Sequence, residues 1–413
     1  MDLIIGAGVT GLSYAAYSAN DYLILEKEKE VGGYCRTIKQ DGFIWDYSGH
    51  FFHFQDKSIK DYIFNNLNKD EILYIVKETQ IFHKGSFIDY PFQKNIHQLS
   101  KEELIDCLYD LFENDITAFS SFKEMLYAKF GKSIAELFLI PYNEKLYACD
   151  LNKLDTNAMG RFFPYADKED IIRNFRTTAN SSYNASFVYP KGGAIEYVNS
   201  IVKNLDKDKI IKEEKLIGIN PESHVAYTDK RKIKYDNLIS TMPFPDLLKL
   251  CKITYDKNLY TSNKVLVFNI GFDKAGTNKN HWIYFADPAI VFYRVGMYNN
   301  IFGIDRLSIY VEIGLREDAD FNEKELLEKT LADLRKVGLT ADHNMVSYSS
   351  VLMDPAYVHI TGEMESDRAK KMRLLNENDI FSIGRYGAWY YCSIEDNIKE
   401  AKSLAEKLCK KSQ

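Results

Sequence analysis

Asp2-Leu3-Ile4-Ile5-Gly6-Ala7-Gly8-Val9-Thr10-Gly11 lies at the start of the chain, and Tyr22-Leu23-Ile24-Leu25-Glu26 follows it. An apolar run leads into a G-x-G-x-x-G turn, an apolar segment of helical length, and a second apolar run ending in an acid. This spells strand, glycine turn, helix and strand, with Glu26 standing 20 positions after Gly6. Each part has a physical task. Gly6, Gly8 and Gly11 let the backbone approach a pyrophosphate at a helix N-terminus, and Glu26 accepts hydrogen bonds from a ribose.

Working outward, Val31-Gly32-Gly33-Tyr34-Cys35-Arg36-Thr37 resembles the second glycine pair of the FAD family that includes amine oxidases, protoporphyrinogen oxidase and UDP-galactopyranose mutase. The resemblance implies FAD as cofactor, with Gly33 passing close to it and Arg36 near its diphosphate.

The 413 residues exceed one ordinary core, so two or three structural units are expected. A net charge of −6 gives no basis for nucleic-acid binding, and mixed Lys/Glu runs such as Glu26–Glu30 read as solvated faces. Six cysteines lie scattered without a C-x-x-C, and no His/Cys spacing suggests a metal. A reducing, cytoplasmic location fits that usage. No apolar run is long enough for a membrane span, and the N-terminus reads as a strand and not a signal sequence.

The expected fold class is α/β: a Rossmann-like FAD-binding domain, a helical insertion and an antiparallel β-sheet substrate domain. The FAD-binding unit is expected from 1–56, 188–250 and 375–413. A helical cap is expected over 100–165, because Leu104, Leu108 and Leu111 share one face and Met125, Leu126 and Phe130 another. The segments 57–99, 166–187 and 251–374 are assigned to the sheet, with strands over Lys264–Gly271, Ala289–Val295 and Leu307–Ile313. Helices are expected over Ile195–Leu205, Glu323–Val337 and Ile394–Leu408.

A more specific resemblance runs in order along the chain. Ser48-Gly49-His50-Phe51-Phe52-His53 is similar to the histidine loop of UDP-galactopyranose mutases, and Tyr90-Pro91-Phe92-Gln93-Lys94-Asn95 to their L-P-F-x-x-N segment. Tyr142–Tyr147 resembles Y-T-x-K-Q-W-G, and Tyr189-Pro190-Lys191-Gly192-Gly193 resembles I-P-K-G-G. Phe292-Tyr293-Arg294-Val295 looks like Y-T-R-I, Asp354-Pro355-Ala356-Tyr357 like E-P-Y-Y, and Gly384–Tyr391 like G-R-L-x-x-Y-x-Y. The resemblance implies catalytic roles for His50, His53, Arg294 and Tyr391. It implies substrate contacts from Tyr147, Arg161, Arg294, Tyr357 and Tyr391, and flavin contacts from Gly384 and Arg385.

The chain also departs from the mutase pattern. Tyr147 replaces a tryptophan, Ser393 an aspartate, and Gly33-Tyr34-Cys35-Arg36 the mutase G-G-N. These changes place it in a divergent subgroup in which base and sugar are open. The function implied is a nucleoside-diphosphate sugar mutase serving surface polysaccharide or glycoconjugate synthesis. In that reaction N5 of reduced flavin attacks the anomeric carbon, the diphosphate leaves, and the sugar recloses with a different ring size. It requires an external reductant for the flavin, and homodimer formation is left open. The alternative is a FAD oxidoreductase of the amine oxidase or protoporphyrinogen oxidase type. A non-enzymatic relative of Rab GDP dissociation inhibitors is a third.

Overall fold

The computed structural model describes residues 1–176 and 186–411. The stretch 177–185, expected in the sheet unit, lies outside the described residues. Five parallel strands form one layer in the order Ile380–Ser382, Asn237–Ser240, Asp2–Ile5, Tyr22–Leu25 and Ile210–Ile211. Start, middle and end of the chain thus meet in one sheet. Leu3 sits in register with Leu23 on one side and Leu238 on the other.

Both faces of this sheet are covered, which explains its unbroken apolar strands. Ile4, Ile24 and Ile239 face a core shared with the helices Val9–Tyr17, Lys57–Asn65, Ile195–Val202 and Ile394–Lys411. Leu3, Ile5 and Leu238 face the other way, against Phe244–Leu250, Gly362–Asn376 and the hairpin strands Leu216–Asn220 and Val225–Thr228. The period-2 alternation of side chains sorts the two cores.

Two helices sit differently from expectation. Lys57–Asn65 is capped by the Asp56 carboxylate, which accepts from the Ser58 and Ile59 amides. Its Ile59 and Ile63 pack into the dinucleotide-side core, not with the substrate sheet. Gly362–Asn376, capped by Thr361, likewise packs Met364 and Leu375 against the parallel layer.

The second sheet has seven strands: Met345–Met353, Asn263–Phe272, Ser308–Arg316, Arg294–Met297, Trp282–Phe285, Thr79–His83 and Ser86–Asp89. Its neighbours run antiparallel except Trp282–Phe285 and Thr79–His83, which pair in parallel. The strand expected over Ala289–Val295 is only Arg294–Met297. Before it the chain turns, with the Ile290 amide donating to the Asp287 carbonyl and the Val291 amide to the Asp333 carboxylate. A side chain has taken over a donor that a ladder would have used.

The insertion consists of helices Lys101–Phe112, Phe122–Ile134 and Ile140–Tyr147, the last two joined through a π turn at Ala135–Leu139. Ser100 and Ser121 cap the first two by accepting from the Glu103 and Glu124 amides, as S-x-x-E predicts. Helix Ile140–Tyr147 presses onto the seven-stranded sheet where Gly314 leaves room: a Cβ there would stand 2.0 Å from the Lys145 carbonyl oxygen. Lys145 pins this contact, its Nζ donating to the carbonyls of Phe285, Asp287 and Phe292.

Candidate active site

At the dinucleotide end, Gly6 has φ +98° and helix Val9–Tyr17 begins after Gly8. A Cβ on Gly11 would lie 2.1 Å from the Gly6 carbonyl oxygen, so only glycine permits this close turn. The Gly32 amide donates to the Ala7 carbonyl at 2.8 Å and brings the second glycine pair alongside the first. A Cβ on Gly33 would stand 3.6 Å from the Gly8 Cα, so any side chain would fill the groove between them. Glu26 is buried at its end. One of its oxygens accepts the Ala7 amide at 2.9 Å and the other the Glu28 amide at 3.0 Å, which leaves lone pairs for a ribose. Glycine groove, helix start and carboxylate together fit an adenine dinucleotide.

Arg36 does not extend freely toward that groove. Its Nε donates to the Val31 carbonyl at 3.3 Å and its Nη2 to the Glu30 carbonyl, clamping the loop that carries Gly32 and Gly33. The C-terminal unit docks beside it. Gly384 has φ +84°, and a Cβ there would collide with Thr10. The Arg385 amide and the Thr10 hydroxyl both donate to Asn397 Oδ1, at 2.7 and 3.2 Å.

Between the second sheet, the helical insertion and this C-terminal unit lies a cavity of about 990 Å³. Its walls include Tyr142, Tyr284, Arg294, Tyr310, Tyr357 and Tyr391. Arg294 and Glu312 are register partners on adjacent strands. The guanidinium donates from Nε at 2.5 Å and from Nη2 at 2.8 Å to the two carboxylate oxygens, while Ser48 donates its hydroxyl to the same carboxylate. Tyr357 and Tyr391 stack at 5.8 Å and 24°. The Arg385 guanidinium lies 4.7 Å from the Tyr391 ring centre and 5.3 Å from that of Tyr357. Burial, reinforced by Tyr357, pushes the Tyr391 phenol up to about 12 against the pull of Arg385 and Arg294. It is therefore a hydroxyl donor at neutral pH.

Of the positions singled out in the sequence, His53, Arg161, Arg294, Tyr357 and Tyr391 line this cavity. Arg385 stands against its tyrosine pair. Arg161 also gives its Nη2 to both Asp396 carboxylate oxygens, at 2.7 and 2.6 Å, and is largely exposed. His50 is not a wall residue: its Nδ1 donates to the Ser48 carbonyl at 3.0 Å. Burial, with Arg385 and Arg294 nearby, pushes its imidazole down to about 4, and burial does the same to His53. Both rings are neutral at physiological pH. Tyr147 also stands outside the cavity, fully buried behind Tyr357 with ring centres 5.9 Å apart. That position gives its side chain no face on the cavity.

Several wall residues escaped the sequence reading. Lys77 lies 5.5 Å from the Tyr90 ring and 5.8 Å from that of Trp282, and burial pushes its ammonium down to about 8. Tyr284 and Tyr310 were indistinguishable from ordinary core tyrosines, and Tyr90 was noted only as part of the L-P-F-x-x-N match, with no role of its own. Glu312, which lies outside the wall and holds Arg294 in it, did leave a signal: it is the one acid in Ser308–Leu315, an otherwise apolar strand, and a buried carboxylate demands a partner.

A family profile described as an NAD(P)-binding Rossmann-like domain matches residues 4–65. A solved structure of reduced UDP-galactopyranose mutase superposes with a TM-score of 0.91 at 24% identity, covering 98% of this chain and 93% of that one. Cyclohexylamine oxidase from Brevibacterium oxydans IH-35A gives 0.72 at 10% identity, with 99% and 98% covered. A CLA-producing fatty acid isomerase from P. acnes gives 0.69 at 14% identity, with 98% of both chains covered. The chain thus has the fold shared by a mutase, an amine oxidase and a fatty acid isomerase, opening on a Rossmann-like dinucleotide-binding domain.

Proposed function

We propose that the protein is a FAD-dependent mutase that interconverts pyranose and furanose forms of a nucleoside-diphosphate sugar. The observation that carries this reading is the convergence of Arg294 and Arg161 with the stacked pair Tyr357 and Tyr391 on one cavity, Arg385 being packed against the two rings. The guanidiniums of Arg294 and Arg161 and two phenol donors suit a diphosphate, whose charge grows as it leaves a sugar. Charge-assisted hydrogen bonds contribute roughly 1.5–3 kcal/mol each, so two arginines supply about 3–6 kcal/mol. That is roughly 10²–10⁴ in rate if it is realised only in the transition state.

Gly6, Gly8, Gly11, Gly33 and Glu26 would hold the dinucleotide, with Arg36 keeping the Gly32-Gly33 loop in place. When bound in its reduced form, FAD supplies a nucleophilic N5 for the anomeric carbon. The chain does the rest. Arg294, kept in plane by Glu312, and Arg161 would meet the diphosphate, while Gly384 and Arg385 would face the flavin. Tyr357 and Tyr391 would donate their hydroxyl protons to its oxygens. Neutral His50 and His53 would accept or share a hydrogen bond without adding charge, and the aromatic walls would exclude water. Incubation of photoreduced protein with UDP, dTDP and GDP sugars tests the reading, with ring-size isomers resolved by NMR. Conversion of one of them is the expected result, and absence of isomers across all three sinks the proposal.

An amine oxidase-like oxidoreductase is the second reading, favoured by the aromatic wall where Phe51 stacks on Trp282 at 5.1 Å and 7°. Bleaching of the flavin by an amine without added reductant would support it.

A further inference from the structure

We propose that Tyr34 is a positioning residue that ties the dinucleotide loop to the turn carrying Tyr357. Tyr34 lies on the short helical turn Gly33–Cys35, directly after the groove glycines. Its hydroxyl accepts the Asp354 amide at 2.9 Å, across 320 residues of chain. Its ring meets Tyr386 edge-on, with centres 5.6 Å apart at 89°.

The turn from Asp354 to Tyr357 is gripped from three directions. Tyr34 takes the Asp354 amide from the side of the dinucleotide loop. From the second sheet, the Asn263 carbonyl takes the Ala356 amide at 2.9 Å and its side-chain oxygen the Tyr357 amide at 2.7 Å. From the C-terminal unit, Tyr386 Oη and Arg385 Nη2 donate to the Ala356 carbonyl at 3.3 and 3.4 Å. A dinucleotide seated against Gly33 would fix Tyr34, and Tyr34 would then fix the height of Tyr357 over the cavity. Residues on the cofactor loop would thereby set the geometry of a substrate-side hydroxyl they never touch. The consequence for ligand binding rests on the nucleoside-diphosphate reading; the mechanical tie does not.

Tyr34→Phe keeps the ring and its contact with Tyr386 and removes only the hydroxyl. In FAD-loaded protein, amide hydrogen exchange is expected to quicken over 354–357 and to stay unchanged elsewhere. The dissociation constant for UDP is expected to rise about three- to tenfold, the loss of one hydrogen bond's worth of placement, with flavin content and melting temperature held. Because Tyr34 acts through Tyr357, the double variant with Tyr357→Phe is expected to bind no worse than Tyr357→Phe alone. Unchanged exchange over 354–357, or additive losses in the double variant, would overturn the proposal. If wild-type protein binds none of UDP, dTDP or GDP, the diphosphate reading fails on its own, and exchange over 354–357 still decides whether Tyr34 holds the turn.

Discussion

Arg294 and Glu312 face each other across neighbouring strands, and the carboxylate takes two donors from one guanidinium. Glu312 is buried completely while Arg294 keeps one edge on the cavity. The pair therefore fixes the plane of the guanidinium and leaves Nη1, which has no hydrogen bond among the described residues, for a ligand. Glu312→Gln removes the counter-charge and leaves a cation in a desolvated wall. Unfolding in urea, with FAD in excess in both samples, should show a loss of about 3 kcal/mol. Unaltered stability would mean that the pair carries no such charge compensation.

Tyr391→Phe removes one phenol donor and keeps the stack on Tyr357. The expected loss is roughly 0.5–1.5 kcal/mol of transition-state stabilisation, or about two- to tenfold in kcat/KM for the accepted sugar nucleotide. A larger loss of flavin than of turnover would move Tyr391 from the substrate to the cofactor.

Tyr147→Phe should behave oppositely to a binding-site variant. The Tyr147 hydroxyl is buried without a hydrogen-bond partner among the described residues, and its ring stands behind Tyr357. Removing it should leave nucleotide affinity unchanged and hold or raise the melting temperature, by about 1 kcal/mol of relieved desolvation. A clear fall in affinity, measured by titration calorimetry, would put Tyr147 back among the substrate contacts.

Gly33→Ala tests the groove. Gly33 has φ +56°, which costs a side chain roughly 1 kcal/mol, and the new Cβ would narrow the space facing Gly8. Flavin absorbance after gel filtration should drop at least about tenfold while circular dichroism stays native. Full retention of flavin would show that the dinucleotide lies elsewhere.

Stability should fall with acidification. His50 and His53 drop from an ordinary 6.5 to about 4 in the folded chain. Between those values the unfolded chain takes up protons that the folded chain refuses, so stability is lost as pH falls through that window. His281 and His359 are shifted the same way by burial. Asp46 and Glu400 oppose them: burial raises the Asp46 carboxyl from 3.8 to about 6 and raises that of Glu400, so both favour the folded state as pH falls. The four histidines outnumber these two carboxyls, and a net loss of a few kcal/mol, on the order of 3, is expected from about pH 7 to about pH 4.5. Urea unfolding across that range checks the sign, and the paired variant His50→Asn/His53→Asn should flatten the curve.

The sequence by itself determined the parts whose contacts are local. Gly6, Gly8, Gly11 and Glu26 act through backbone conformation and neighbouring amides, so their spacing alone spelled the turn and the parallel strands around it. The helical insertion was equally readable, because its caps and apolar faces repeat within a few residues. The parallel pairing of Trp282–Phe285 with Thr79–His83 was not, since register depends on which distant strand arrives. Helix Lys57–Asn65 could be placed only once its apolar face had found the dinucleotide-side core. The candidate site divides in the same way. Arg294, Tyr357 and Tyr391 could be named as positions. Tertiary structure alone decided that Glu312 occupies two of the Arg294 donors, that Tyr147 sits behind the wall, and that Tyr34 reaches Asp354. Each of these is a contact between groups far apart in the chain, formed when strands and loops close on one another. No local spacing encodes which partner a buried charge or hydroxyl will meet.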